Sequence, residues 1–171
     1  MITFAKKHHL QAINDIYNQA VEDGFRTAHT CPISMSERKS WFYHHTEKRY
    51  PVFVFIEDER VVGWLSISSY RSDRQALDEV VEVSYYVDYH HHGKGIATRL
   101  MQHAIDFCDD AGYRIMVAIL VSDNKPSFSF LKKFDFREGG RIPNAIHYHN
   151  EFRDHLYMFK NLSSKTSDNK P

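Results

Sequence analysis

Between positions 80 and 112 an extended run, a glycine turn and a helical pattern follow one another without a break, and the rest of the chain is arranged around that unit. Residues 80–88 are rich in Val and Tyr, the composition of a strand. Ala97, Leu100, Met101, Ala104, Phe107, Cys108 and Ala111 then recur at three-to-four-residue steps, the period of an amphipathic helix. Between the two stands His90-His91-His92-Gly93-Lys94-Gly95-Ile96-Ala97. Glycines there let main-chain N–H groups turn inward and let a ligand come close. The helix N-terminus adds partial positive charge, so the turn suits a pyrophosphate. A nicotinamide-dinucleotide turn would carry a third glycine at position 98 and an acidic residue closing the next strand. Thr98 and Leu120-Val121 stand there instead.

Joined to the preceding Glu82-Val83-Ser84-Tyr85-Tyr86-Val87, this turn resembles that of the GNAT family of acyl-coenzyme A-dependent N-acetyltransferases. The family's phosphate loop reads Gln/Arg-x-x-Gly-x-Gly/Ala. His92-Gly93-Lys94-Gly95-Ile96-Ala97 matches it, with His in the first place. Within the family the chain is similar to the phosphinothricin and methionine sulfone/sulfoximine N-acetyltransferase branch. The likeness lies in Ile16-Tyr17-Asn18-Gln19-Ala20-Val21, Ser36-Glu37-Arg38-Lys39-Ser40-Trp41-Phe42, Tyr50-Pro51-Val52, Arg74-Gln75-Ala76 and Asn124-Lys125-Pro126-Ser127, in that order. The resemblance covers nearly the whole chain to Leu162. It implies one α/β GNAT domain over residues 1–162, a central mixed twisted sheet of about seven strands flanked by about four helices.

The rest of the chain reads in the same order. Residues 2–5 suit a short strand, and Leu10, Ile13, Ile16, Tyr17 and Ala20 mark one face of a helix ending near Gly24. Residues 25–32 read as a loop, and Ser34 with Glu37 forms a capping box that opens a second helix. Residues 52–56 and 61–68 pattern as a hairpin, and residues 70–79 as a polar irregular segment. The nearly unbroken apolar run 115–121 suits a strand buried on both faces. A helix over 124–133 carries Pro126 in its first turn, and strands over 136–142 and 152–160 close the domain. Residues 163–171, polar throughout, read as a mobile tail.

The resemblance assigns chemistry to particular positions. An alkyl ammonium has a pKa near 10.4, so at neutral pH its lone pair is scarce and the reaction needs a proton acceptor. Glu82 is implied as that general base, acting directly or through one water. Acetyl-coenzyme A is implied as co-substrate, with Tyr85, Tyr86 and Val87 holding the acetyl end and an N–H polarising the thioester carbonyl. His92, Gly93, Lys94, Gly95, Ile96, Ala97 and Thr98 would hold the pyrophosphate, and Asn124 and Ser127 the pantetheine or diphosphate region. Substrate contacts are implied at Thr27, Arg71, Arg74, Glu82 and His149, with Tyr148 beside it. The expected acceptor is the primary amine of a small molecule, such as an amino-acid analogue, and the expected assembly a homodimer. A second reading is a module that binds acyl-coenzyme A without catalysis.

Three departures bear on these readings. Leu131 stands where many members carry a Tyr or His that protonates the leaving thiolate, Leu77 where an aromatic is usual, and Val121 where Gly or an acidic residue is frequent. The 22 basic and 22 acidic residues cancel, so no strong attraction to nucleic acid or an anionic membrane is indicated. No signal-peptide core or apolar run of membrane length stands in the chain, and a cytoplasmic location is the expectation. The two cysteines, Cys31 and Cys108, lack zinc-site spacing, and Cys108 falls on the apolar helix stripe. Of the 12 histidines, His147 and His149 would share one face of a strand as a metal pair requires. No third ligand is apparent, and no metal is expected.

Overall fold

The fold, described from a computed structural model over residues 1–148 and 150–163, is a seven-stranded mixed sheet with four α-helices among the described residues. The strands are β1 (Ile2–Phe4), β2 (Val52–Glu57), β3 (Arg60–Ser69), β4 (Val80–Val87), β5 (Ile115–Val121), β6 (Arg137–Tyr148) and β7 (Glu151–Asn161). The helices are α1 (Leu10–Glu22), α2 (Met35–Tyr43), α3 (Ile96–Asp110) and α4 (Lys125–Lys132). The sheet order is β1-β2-β3-β4-β5-β7-β6, with β4 and β5 its one parallel pair. The family-like architecture expected from the sequence is the one found. Residues 164–171, where the tail was expected, lie outside the described residues, as does His149.

Local chemistry accounts for the elements. The α1 stripe of Leu10, Ile13, Ile16, Tyr17, Ala20 and Val21 is buried against Val52, Val54 and Trp64 on one face of the sheet. On the other face Leu100, Met101, Ala104 and Cys108 of α3 pack on Phe53, Leu65, Val81 and Met116. Cys108 is thus a core residue. Ser34 Oγ accepts from Glu37 N–H while the Glu37 carboxylate accepts from Ser34 N–H, so the capping box opens α2 as the sequence indicates. The hairpin between β2 and β3 turns at Asp58 and Glu59, both at positive φ, the geometry that lets a two-residue turn follow the strand twist. One boundary differs from the sequence reading. β6 runs on to Tyr148 rather than stopping at Ile142, because after an irregularity it pairs with β7 again from Ile146 to Tyr148. Its residues are mostly exposed, which left no alternating apolar pattern to read.

Gly63 on β3 sets how closely α3 approaches the sheet. A Cβ there would stand 2.9 Å from Ile96 Cγ2, and Ile96, 1% exposed, is the first residue of α3. Gly63→Ala therefore overpacks the base of the glycine turn. It is expected to cost about 1–3 kcal/mol, read as a lowered midpoint in denaturant. An unchanged midpoint would mean that α3 moves away freely.

Candidate active site

β4 and β5 pair only from Val80 to Glu82, against Ile115 to Val117, and then separate. Each stays paired on its outer side, β4 with β3 and β5 with β7. At the ends of the β3 ladder Tyr70 N–H donates to Val80 O and Asp88 N–H to Val62 O. The main-chain groups of Glu82, Ser84 and Tyr86 thus face β3. Alternation turns those of Val83, Tyr85 and Val87 into the opening. Tyr86 therefore brings its ring to the site and not its amide, a correction to the acetyl-end reading; the N–H groups on offer are those of Tyr85 and Val87.

Two chambers meet across this opening, and Arg26, Ser84, Tyr86, Ile119 and Leu120 line both. The first, of about 570 Å³, runs from the opening to the N-terminus of α3. Gly93, Gly95, Ala97, Thr98, Asn124 and Ser127 lie along it. Gly93 (φ 77°) and Gly95 (φ 73°) are left-handed, and a Cβ on either would meet nothing within 4 Å. Glycine is needed there for its torsion rather than for space. Gly95 caps α3 without a side chain, and the first helical bond is Arg99 N–H to Gly95 O. The N–H groups of Ile96, Ala97 and Thr98 are left pointing out of the helix end, as an anion requires.

The turn is braced from behind. Asp88 accepts from His90 N–H at 2.9 Å and from Gln19 Nε2 at 3.2 Å, while Gln19 Oε1 accepts from Tyr89 N–H. His92 Nε2 donates to Val87 O at 2.9 Å, so the residue in the family's Gln/Arg place ties the turn back to β4. Lys94 directs its ammonium to Glu57 at 3.3 Å and is not part of the chamber wall. Asn124, 4% exposed, caps α4 by accepting from Ser127 N–H, and accepts from Arg26 Nη1 as well. Its Nδ2 amide is the group left to a ligand.

The second chamber, of about 530 Å³, lies on the α1–α2 side of the sheet and holds Glu82. Burial alone pushes the Glu82 carboxyl above the ordinary carboxylate range; no cation stands close enough to lower it. Thr27 is in this wall, 9% exposed, with its Oγ1 2.8 Å from Tyr17 OH. Arg71 and Arg74 are not. Both are exposed, Arg71 lying near the Tyr70 ring and Arg74 near its neighbour's carbonyl, because the irregular segment before β4 runs over the outside. Tyr148 lies in a smaller adjoining cavity and donates from its hydroxyl to Val21 O at 3.3 Å. Leu131 is fully buried in the core and offers no donor to a leaving group. Among the described residues no three His, Cys, Asp or Glu side chains converge as metal ligands.

Three wall residues were not picked out from the sequence. Arg26 bridges Asp23 at 2.7 Å and Asn124 at the junction of the chambers. His155 on β7 lies opposite Val121, and burial lowers its pKa. Arg38, 3% exposed, is the single buried residue of α2. Nothing in periodicity marks Arg26 or His155; for Arg38 the one signal is a short capped helix with no apolar stripe.

The residues present suit an acyl-coenzyme A: an uncapped helix end for the pyrophosphate, and unpaired strand amides in the opening for an amide-bearing arm and a thioester. Comparison with known proteins agrees. Residues 11–136 match the family described as Acetyltransferase (GNAT) family. The L-amino acid N-acyltransferase of Escherichia coli (strain K12) is 31% identical over 165 residues, 96% of this chain and 95% of that protein. An L-methionine sulfoximine/L-methionine sulfone acetyltransferase of Salmonella typhimurium (strain LT2) is 31% identical, covering 84% of each chain. The crystal structure of a GNAT superfamily phosphinothricin acetyltransferase from Sinorhizobium meliloti, in complex with acetyl-coenzyme A, superposes with a TM-score of 0.90. It is 27% identical and covers 100% of this chain and 92% of that one.

Two outcomes follow from the geometry. Gly95→Val forces a β-branched residue into a left-handed torsion at the helix cap. Coenzyme A affinity measured by calorimetry should fall at least about tenfold with the circular dichroism spectrum retained; unchanged affinity would place the anion elsewhere. Glu82, with its folded pKa raised, binds protons better folded than unfolded, so its contribution to stability falls as pH rises through the window above the ordinary carboxylate pKa. Glu82→Gln should therefore unfold at a higher denaturant midpoint than the parent at pH 7, and the gap should close toward pH 4.

Proposed function

The chain belongs to the acetyltransferase (GNAT) family, N-acetyltransferases that use acetyl-coenzyme A, and from that premise we propose that it acetylates the primary amine of a small amino-acid analogue with Glu82 as general base. Methionine sulfone, methionine sulfoximine and phosphinothricin are the analogues its relatives point to. The observation that carries the reading is the position of Glu82: an otherwise unpaired carboxylate, half-buried in the chamber that opens onto the gap between β4 and β5.

Acetyl-coenzyme A supplies the activated acetyl group. Residues 93 and 95–98 hold its pyrophosphate by main-chain N–H groups and the helix dipole. The Asn124 amide and Ser127 hydroxyl contact the arm. The N–H of Tyr85 or Val87 meets the carbonyl oxygen on which negative charge develops, and being fixed in a strand it needs no reorganisation. Thr27 and the Tyr86 ring shape the amine's side of the opening. Glu82 takes a proton from the bound ammonium and so frees the lone pair that attacks the thioester carbon; its raised pKa brings it closer to the operating pH, where a general base is most effective. With Leu131 in the core, the thiolate leaves unassisted and takes its proton from water. Against a thiol pKa of about 8.5 that forgoes roughly 2 kcal/mol, a handicap catalysis tolerates.

The test is thiol release from acetyl-coenzyme A over a panel of amino acids, sulfones, sulfoximines, phosphinothricin and polyamines. Turnover of at least one amine is expected, with Glu82→Gln lowering kcat about 100-fold or more and abolishing the acidic limb of the pH–rate profile. Full turnover in that variant would remove Glu82 as the base. Tight acetyl-coenzyme A binding with no turnover on any amine would favour the non-catalytic module instead.

A further inference from the structure

The buried cation of α2 has no counter-ion. Arg38 lies with its guanidinium carbon 4.6 Å from the Tyr17 ring centre, 4.6 Å from that of Trp41 and 5.4 Å from that of Trp64. Its one hydrogen bond runs from Nε to Asn14 Oδ1 at 3.2 Å, and its buried Nη2 has no partner. No carboxylate among the described residues lies within ion-pairing distance. Removing a guanidinium from water without an anion is costly, and ring faces offset only part of that cost. What the rings do achieve is to hold the planar fork in one orientation before anything binds.

Arg38 lines the same chamber as Glu82. The other charged groups of that wall are engaged elsewhere: Glu37 in the α2 capping box and Arg26 with Asp23. The chamber thus presents one uncompensated cation and one uncompensated carboxylate, the pattern complementary to a zwitterion. Resting on the acetylation reading above, we propose that Arg38 binds the carboxylate of an amino-acid substrate while the amine of the same molecule faces Glu82.

The deciding experiment compares methionine sulfone with its decarboxylated counterpart, 3-(methylsulfonyl)propan-1-amine, in the parent chain and in Arg38→Met and Arg38→Lys. Turnover is one readout. The second is fluorescence of Trp41 and Trp64, the two tryptophans of the chain, both in contact with Arg38, during titration with each compound in the presence of coenzyme A. The parent should favour the amino acid in kcat/KM by at least about tenfold, and only the amino acid should shift the emission. Arg38→Met should raise KM for the amino acid at least about tenfold and alter the amine's KM far less, with Arg38→Lys between. Equal effects on both compounds, or a parent that does not distinguish them, would overturn the proposal and leave the acetylation reading standing. If a variant does not fold, the parent's discrimination decides. If neither compound is acetylated, the acetylation reading fails for this pair. The fluorescence titration then still decides Arg38, since absence of an amino-acid-specific shift sinks it.

Discussion

The two chambers of the site meet because β4 and β5 stop pairing after three residues. Beyond Glu82 the two strands forgo ladder hydrogen bonds, and unpaired main-chain groups in a sheet interior are costly unless something satisfies them. The opening persists because each strand is held from its outer side, by β3 along all of β4 and by β7 along all of β5. The forgone bonds are therefore local, and they leave a rigid row of donors and acceptors. On the β4 side that row ends in the turn at Asp88, which His92 and Gln19 lock in place. Strand, turn and helix end form one surface of N–H groups, assembled from residues continuous in the chain.

The chain's net charge is zero, yet the site is locally unbalanced. One chamber ends in the uncapped, partially positive start of α3. The other holds a half-buried carboxylate and a buried guanidinium, each without a close counter-ion. Surface bridges elsewhere, such as Arg114–Glu79 and Arg49–Asp78, contribute little to stability because water screens them. The concentration of uncompensated groups inside one cavity, against charges that water screens on the outside, is what distinguishes a site from a surface.

The segment between α1 and α2 completes the wall although it has no regular structure. Its order comes from polar residues of α1. Asn14 Nδ2 and Asn18 Nδ2 both donate to Ile33 O, and Ile33 N–H donates to Asn18 Oδ1. Tyr17 OH meets Thr27 Oγ1 at 2.8 Å and His29 Nδ1 at 2.5 Å. Helix α1 thus packs its apolar stripe on the sheet and uses its polar flank to position Thr27 and Arg38. The same Asn14 that anchors Ile33 also accepts from Arg38 Nε, so the loop and the buried cation share one support.

Whatever depends on neighbours in sequence was legible in the sequence: the strand, turn and helix from Val80 onward, the capping box at Ser34, the helix start marked by Pro126 and the order of elements. Those are decided by alternation, helical period, φ preferences and side chains bonding amides two or three residues away. The glycine turn could be read as an anion seat for the same reason, since the donors and the helix that polarises them are consecutive. What only the tertiary structure decided is who meets whom across the sheet. Residues 71 and 74 precede the Glu82 strand closely and yet lie outside, whereas Arg38, more than forty positions earlier, shares a chamber with Glu82. Periodicity tells which face a residue occupies and never which distant element covers that face. An arginine on a short helix looks like a solvated charge until three aromatic rings from α1, α2 and β3 enclose it.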